Sequence, residues 1–287
     1  MSVNAQTVER ENLGLTAIPQ QPSIGAEIPG IDLRLPLTDE LREQVRRLLL
    51  RFKVLFFRDQ DITRAQHIDF GRKFGDLDVH PLVQADEPII QAISAERFRK
   101  SAASVKAYTN RWHSDETFRS VPPIASILRA IEVPDIGGDT LFADATAAYD
   151  GLTDEVKERI EKLEAVHSLA HGFAWYKSQK WEQLNSQYPP VTHPVVRLHP
   201  DTGAKVLFVN SVFTSHIVGL DQAESEGLLA HLNAQFTRPE YQVRFKWRKG
   251  SLAFWDNRAT QHYGVWDFGD ATRELERVTI KGQVPQR

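Results

Sequence analysis

The amino-acid sequence predicts a mainly β fold with helical buttressing and a double-stranded β-helix, or jelly roll, at its core. Short apolar or alternating segments typical of strands recur through the middle and the C-terminal part of the chain. Turn residues separate them, and helical patterns are confined to the first quarter and to two later insertions. Strands grouped in this way favour two packed sheets, and the 287 residues fit a single domain, 1–287.

The first quarter combines helices with one buried strand. Residues 1–13 are polar and are expected to be frayed. Thr38 can cap a helix because apolar residues follow it at helical spacing, and Thr63 with Gln66 can form a capping box. The predicted elements are a short strand and turn at 24–33, a helix from Thr38 to Phe52, a strand at 53–57, and a helix from Thr63 to Phe74 that ends at Gly75.

The remainder alternates strands and turns, after an irregular, polar segment at 84–111 that is typical of an active-site loop. β-Branched and aromatic residues bounded by proline and glycine indicate the strands, and two amphipathic stretches indicate helices. The predicted strands are 124–133, 140–142, 194–198, 206–210, 241–247, 251–255 and 276–281, and the predicted helices are 153–163 and 221–236.

Composition excludes several classes of protein. The net charge is −3 and no long basic run occurs, so neither a nucleic acid nor an anionic membrane is expected as a partner. Cysteine is absent, which rules out a disulfide scaffold, a thiolate metal site and a cysteine nucleophile. The N-terminal residues lack the apolar stretch of a signal peptide, and no run is long enough for a transmembrane helix. A cytoplasmic location is therefore expected.

Three His-x-Asp patterns compete as candidate metal ligands, at 67–69, 113–115 and 199–201. The first falls on a predicted helix, where residues two apart do not face each other, so a surface polar pair is expected there. The third flanks a proline in a predicted hairpin turn, where an ordinary turn is equally favoured. The second lies in an extended segment, where both side chains point the same way. Spacing alone leaves open whether 113–115 binds a metal or is a chance match.

His262, Arg273 and Arg277 extend this constellation. Two histidines and one aspartate form the ligand set that holds non-haem Fe(II) on one face and leaves the other face open. Taken alone, His262 is better explained as a hydrogen-bonded structural histidine than as a ligand, and both arginines as solvated residues. The interval of four places the arginines on one face of a strand, where they could clamp anions, and Glu274 and Glu276 are expected on the opposite, exposed face.

With these residues assembled, the chain resembles the taurine dioxygenase and 2,4-D dioxygenase family of Fe(II)/2-oxoglutarate enzymes. The resemblance extends from 24–28 to 279–280 and is strongest in three ordered blocks, at 112–118, 137–142 and 255–263. It implies that His113, Asp115 and His262 bind the iron. It also implies that Thr140 and Arg273 bind the distal carboxylate of 2-oxoglutarate, and that O2 is the second co-substrate. Trp255 would pack beside the metal.

The resemblance further implies a small anionic organic substrate. Arg277, assisted by His80, would face the anionic head, and Phe173 and Phe213 would line the pocket, although both are also compatible with plain core positions. Val83 stands where taurine dioxygenase has a tyrosine, and Tyr108-Thr109 where it has Asp-Asn. Those polar groups handle the amine of taurine, and a buried, unpaired ammonium is costly. We therefore expect an alkyl sulfate or an amine-free sulfonate rather than taurine.

The predicted reaction hydroxylates the carbon next to the sulfur-containing group and releases an aldehyde with sulfate or sulfite, together with succinate and CO2. Taurine itself, or a small carboxylic acid, is the alternative substrate, because an arginine clamps a carboxylate as readily as a sulfonate. From other classes, a non-catalytic metal-binding jelly roll or a zinc hydrolase would also use two histidines and a carboxylate. A homo-oligomer, dimer or tetramer, is expected.

Overall fold

The computed structural model describes residues 9–10, 14–79, 89–96, 109–173 and 179–287. Helices and strands contribute comparable numbers of residues to these ranges, so the helical part is larger than the sequence predicts. Within them, no helix combines the length and the apolar character needed to cross a bilayer.

Seventeen strands are described, most of them two to five residues long. They are β1 Glu9–Arg10, β2 Thr16–Pro19, β3 Ala26–Glu27, β4 Val54–Phe57, β5 Leu77–Asp78, β6 Gln91–Ser94, β7 Ala125–Glu132, β8 Thr140–Asp144, β9 Glu164–His167, β10 Val191–Pro194, β11 Val196–Leu198, β12 Lys205–Leu207, β13 Thr214–Ile217, β14 Gln242–Phe245, β15 Leu252–Asp256, β16 Thr260–Gly264 and β17 Glu274–Ile280.

The helices of the same ranges lie at the N-terminal side and between the strand groups. They are α1 Asp39–Phe52, α2 Arg64–Arg72, α3 Ala145–Asp150, α4 Asp154–Ile160, α5 Leu169–Gly172, α6 Gln179–Gln187 and α7 Gln222–Ala234, with 3-10 turns at Gln235–Thr237 and Pro239–Tyr241. The predicted caps are confirmed. Thr38 accepts from the backbone N–H of Leu41, and Thr63 and Gln66 form a reciprocal capping box.

Two sheets position the candidate site. The large sheet runs in the order β1-β2-β3-β4-β15-β7-β17-β5, with β6 also paired to β17. The small sheet has the order β14-β8-β16. Among the described pairings of these two sheets, only β3 with β4 is parallel. The long strands β7, β15 and β17 therefore lie side by side, and the side chains that they present to one face can converge on a single site.

An aromatic core joins the two sheets. Phe56 of β4 stacks on Phe245 of β14, with ring centroids 4.1 Å apart, and Phe142 of β8 lies 5.5 Å from Trp255 of β15. These rings are almost fully buried. Burial of such large rings is the main stabilisation of a two-layer core, and here it fixes β8 and β16 against β15. The other face of the large sheet carries a second apolar cluster, which α1 and α2 cover.

Part of the predicted active-site loop is a strand. Residues 91–94 form β6 and pair antiparallel with β17, and the N–H of Ala95 donates to the carbonyl of Arg273. The polar composition of 84–111 hides this strand because its hydrogen bonds come from β17, far along the chain. Likewise, Glu9–Arg10, within the stretch predicted to be frayed, pairs with β2.

The expectation of an exposed Glu276 is wrong. This residue is 7% exposed, and its carboxylate accepts from Arg129 Nη2 at 2.7 Å and from Arg64. The outer face of β17 is covered by α2, so the charge is buried with two cationic partners. Glu274, at the start of the strand, is exposed as expected.

Two of the three His-x-Asp patterns have structural roles. His67 is not on the surface, because the face of α2 that carries it packs on the large sheet. It is fully buried with Nε2 3.2 Å from the carbonyl oxygen of Ile127, and Asp69 points to solvent. His199 lies in the β11–β12 turn as expected, but its ring points inward and its Nε2 is 3.0 Å from Asp256 Oδ2.

Candidate metal centre

A backbone bridge brings two distant histidines together. The N–H of His113 donates to the carbonyl of His262 at 3.2 Å, and the N–H of His262 donates back to His113 at 2.8 Å. Side chains of directly opposed residues share a face of the pairing, so both imidazoles lie on the same side. Their ring centroids are 4.2 Å apart.

Asp115 reaches the same point from a turn rather than from a strand. The sequence predicts an extended segment through 113–118, but after the bridge at His113 the backbone bends, and Glu116 has φ 51°. A non-glycine residue in the left-handed region is uncommon and costs energy, so the surrounding contacts must hold it there. The bend places Asp115 Oδ1 3.9 Å from His262 Nε2.

His113, Asp115 and His262 therefore form one cluster. One ligand atom from each lies within 4.8 Å of those of the other two, and within the described ranges no other set of at least three such side chains meets this way.

Burial lowers the pKa of both imidazoles, that of His262 to about 3, and keeps them neutral. Burial alone would raise the pKa of Asp115, but the Arg277 cation and the hydrogen bond from Ser126 hold it well below its ordinary value. Two neutral imidazoles and one carboxylate are the forms that bind a divalent cation.

The hydrogen bonds orient the ligand atoms. His113 Nδ1 lies 2.7 Å from the carbonyl oxygen of Arg111, which can only accept, so Nδ1 carries the proton and Nε2 carries the free lone pair. Trp255 and Phe142 pack around His262 with ring centroids 5.1 and 6.1 Å away. The predicted position of Trp255 beside the cluster is confirmed.

Both oxygens of Asp115 have partners. Ser126 Oγ donates to Oδ2 at 2.9 Å, and Arg277 Nη1 donates to Oδ1. Arg277 also lies 4.0 Å from Glu116 Oε1, and Glu116 pairs with Arg119 at 2.8 Å. Burial raises the pKa of Glu116 to about 7, against the opposing effect of the two arginines. Arg277 is thus a buried cation placed next to the cluster.

A second corner of the site contains Thr140 and Arg273. Arg273 Nε donates to the carbonyl of Gly138 at 2.9 Å, and a side chain on Gly138, which has φ 70°, would meet the Arg273 side chain at 3.1 Å. Burial lowers the pKa of Arg273 to about 10, so it remains a cation at neutral pH. Thr140 begins β8 two residues after Gly138, so the Gly-Gly-Asp-Thr block brings a hydroxyl and a guanidinium to one corner.

Trp247 fixes the direction of the Thr140 hydroxyl. Its indole Nε1 donates to Thr140 Oγ1 at 2.9 Å, and the residue is 3% exposed. An indole N–H can only donate, so it uses an acceptor position of the hydroxyl and leaves the O–H proton free for another acceptor. Thr140 can therefore donate to a carboxylate oxygen.

Apart from Arg277, the predicted substrate residues fall into three groups. Thr109 lies beside β16, and its Oγ1 accepts from Trp266 Nε1 at 2.6 Å. Phe173 and Phe213 are 7% and 0% exposed and belong to one apolar cluster with Phe118, their ring centroids 6.3 Å apart. His80 and Val83 lie outside the described residues, as does Tyr108.

Sequence reasoning missed several residues of the site, chiefly Ser126, Trp247 and Asn257. Ser126 is a polar residue within an apolar strand, and a buried hydroxyl requires a partner, so that position carried a usable signal. Asn257, whose Nδ2 donates to Ser126 Oγ at 3.0 Å, follows Trp255 in a polar turn, where an asparagine is ordinarily explained by turn geometry alone. Trp247 gave no signal, because an aromatic residue after a strand is ordinarily core.

Known proteins resemble this chain over nearly its whole length. The model of the family described as taurine catabolism dioxygenase TauD, TfdA family matches residues 16–279. An alpha-ketoglutarate-dependent sulfate ester dioxygenase of Pseudomonas putida is 37% identical over 294 aligned positions, covering 99% of this chain and 95% of the relative. An alkylsulfatase of Acinetobacter baylyi is 37% identical over 270 positions, covering 91% and 83%.

A solved structure leads to the same family. The crystal structure of a taurine dioxygenase from Burkholderia xenovorans superposes with a TM-score of 0.81 at 38% identity, covering 94% of this chain and 92% of that one. The predicted resemblance is confirmed, because these matches span both sheets and all three cluster residues. The chain belongs to the TauD/TfdA family and is a dioxygenase that uses Fe(II), 2-oxoglutarate (alpha-ketoglutarate) and O2.

Proposed function

We propose that His113, Asp115 and His262 bind the Fe(II) of this dioxygenase. The observation that supports this assignment is the meeting of their ligand atoms within 4.8 Å of one another. Two imidazoles and one carboxylate leave half of an octahedral coordination sphere open for other ligands. Thr140 and Arg273 argue against a zinc hydrolase, because a hydrolase has no need of a site for the distal carboxylate of 2-oxoglutarate.

Thr140 and Arg273 are proposed to bind the distal carboxylate of 2-oxoglutarate. The Arg273 guanidinium supplies the charge, and its bond to Gly138 sets its direction. The Thr140 hydroxyl supplies one directed donor, because Trp247 already uses an acceptor position. When bound, iron and 2-oxoglutarate supply the oxidising chemistry, in which 2-oxoglutarate yields succinate and CO2 and one oxygen atom is transferred to a substrate carbon. The chain contributes positioning and the exclusion of water.

Arg277 is proposed to bind the anionic head of the substrate, which we infer to be the sulfate of an alkyl sulfate ester or an amine-free sulfonate. The guanidinium is 6% exposed and adjoins Asp115, so an anion held there lies next to the iron. Two relatives support sulfate esters, since they are a sulfate ester dioxygenase and an alkylsulfatase. Thr109 offers a neutral hydroxyl already bonded to Trp266, and no carboxylate for an ammonium group.

The products follow from the position of attack. Hydroxylation of the carbon bonded to the ester oxygen gives an adduct that carries a hydroxyl and a sulfate on one carbon. Its C–O bond to sulfate breaks, the hydroxyl loses its proton, and an aldehyde and sulfate separate. One O2 and one 2-oxoglutarate are consumed for each succinate, CO2, aldehyde and sulfate formed. A sulfonate would be hydroxylated at the carbon bonded to sulfur; its C–S bond would then break, the hydroxyl would lose its proton, and an aldehyde and sulfite would separate.

Substrate preference tests this proposal. Enzyme loaded with Fe(II) and 2-oxoglutarate is expected to form succinate faster with hexyl sulfate than with taurine or hexanoate. Taurine is disfavoured because Thr109 offers its buried ammonium group no charged partner. Hexanoate is the comparison for a carboxylate head group. Sulfate and aldehyde should appear in equal amounts with the succinate. Faster turnover of taurine, or succinate formed without sulfate release, would overturn the sulfate-ester assignment.

The role of Trp247 has its own prediction. Trp247→Phe should raise KM for 2-oxoglutarate about threefold to tenfold with little change in kcat, because one neutral hydrogen bond that directs Thr140 is lost. Thr140→Val should raise KM at least as much. In the double variant the two effects should not add, since Trp247 acts only through that hydroxyl. Additive effects on KM in this cycle would disprove the link.

We also propose a jelly-roll core, a homo-oligomeric assembly and a cytoplasmic location. The stacking of the large sheet on β14-β8-β16 supports a jelly-roll core. A homo-oligomeric assembly is expected, and sedimentation of the purified chain would test it. A cytoplasmic location is the third.

A further inference from the structure

A buried chain of hydrogen bonds ends on the metal-binding carboxylate. Trp255 Nε1 donates to Asn257 Oδ1 at 2.7 Å, Asn257 Nδ2 donates to Ser126 Oγ at 3.0 Å, and Ser126 Oγ donates to Asp115 Oδ2 at 2.9 Å. None of the four residues is more than 3% exposed. Strand β7, strand β15 and the turn that follows β15 therefore meet behind a single carboxylate.

The chain has one possible direction. An indole N–H only donates, so the oxygen of Asn257 must face Trp255 and its NH2 group must face Ser126. That NH2 group occupies an acceptor position of the Ser126 hydroxyl. An ionised carboxylate only accepts, so Ser126 Oγ keeps its proton and directs it at Asp115 Oδ2. Burial excludes water that could compete for any of these groups.

The orientation of the Asp115 carboxylate decides how it can bind a metal. Both oxygens accept a hydrogen bond, Oδ2 from Ser126 and Oδ1 from Arg277, but Oδ1 is the atom that lies 3.9 Å from His262 Nε2 and so faces the cluster with its second lone pair. Were both oxygens to bind the ion, Asp115 would fill two coordination positions and one fewer would remain for 2-oxoglutarate and O2. A hydroxyl held on Oδ2 opposes the two-oxygen mode and keeps the aspartate rotamer fixed.

We propose that Ser126, oriented by Asn257 and Trp255, is a positioning residue that makes Asp115 a one-oxygen ligand. This inference rests on the proposed assignment of His113, Asp115 and His262 as metal ligands. It adds that an oriented serine hydroxyl behind the carboxylate determines how many positions of the metal stay open.

The test uses metal binding rather than turnover. Ser126→Ala should weaken Co(II) and Mn(II) affinity about 10- to 100-fold in calorimetric titration of the metal-free protein. The visible spectrum of the Co(II) protein should change, because a freed Oδ2 joins the coordination. Ser126→Thr keeps the hydroxyl and should restore both affinity and spectrum. Ser126→Cys, with a weak donor of similar size, should fall between the two and serves if the alanine variant does not fold.

Two controls separate the possible outcomes. Ser225, in α7, is as buried as Ser126 and accepts a hydrogen bond from the N–H of Ile217 rather than bonding a cluster residue, so Ser225→Ala should leave metal affinity unchanged. His113→Ala should lose metal binding altogether. If His113→Ala binds as tightly as the unaltered protein, the metal-centre assignment fails. If His113→Ala loses metal binding while Ser126→Ala keeps the original affinity and Co(II) spectrum, the positioning role fails and the metal centre stands.

Discussion

Replacing Asp115 with alanine is expected to abolish metal-dependent turnover and to lower the free energy of unfolding by about 3–5 kcal/mol. Turnover is lost because the only anionic member of the cluster disappears. Stability is lost because Arg277, which is 6% exposed, keeps a buried charge without the carboxylate that accepts from it. The Ser126 hydroxyl loses its acceptor in the same substitution.

Chemical denaturation of the metal-free protein and titration with Co(II) measure the two losses separately. The matched control is the double variant Asp115→Ala with Arg277→Met, which also removes the buried guanidinium but fills much of its volume. This double variant should recover most of the unfolding free energy and none of the metal affinity. An alanine variant that retains tight metal binding would refute the ligand role of Asp115.

Arg273→Ala is expected to weaken 2-oxoglutarate binding by about 2–4 kcal/mol, which corresponds to about 30- to 1,000-fold in affinity. The guanidinium is half-buried beside Gly138, and its loss would leave the co-substrate carboxylate without its charged partner. Metal affinity should be unchanged, because Arg273 contacts none of the three cluster residues in the described bonds.

Anaerobic titration of the Fe(II) protein with 2-oxoglutarate, followed by the weak visible band that the complex produces, measures this affinity. Arg244→Ala is the matched control. Arg244 lies in the same corner and pairs with Asp139 and Asp267, but 54% of its side chain is exposed, so removing it should alter affinity little. Equal affinity in Arg273→Ala and the unaltered protein would contradict the assigned role.

Local signals in the sequence predicted the local structure well. Thr38 and Thr63 each precede an apolar helical pattern, and both cap a helix, because N-terminal capping depends only on residues within one turn. The elements that depend on distant partners were predicted poorly. Strand β6 exists because β17 pairs with it, and Glu276 is buried because α2 lies over it, and neither partner is visible in the neighbouring residues.

The candidate site divides in the same way. The residue types of His113, Asp115 and His262 themselves indicate metal binding, so pattern and resemblance together predict them from the sequence. Ser126 and Trp247 act only by holding another side chain, and a serine or a tryptophan has that role solely through its three-dimensional neighbours. The residues that orient a site are therefore harder to predict from sequence than the residues that perform its chemistry.

The bridge between His113 and His262 has a consequence for biosynthesis. Asp115 and Arg277 are separated by 162 positions along the chain, and His262 likewise belongs to the C-terminal strands. A nascent polypeptide that has exposed only its first half carries two of the three ligands but cannot assemble the cluster. Binding of iron by all three residues must therefore await the synthesis of β16. A prematurely terminated product without β16 would not form the centre and could not consume oxygen unproductively.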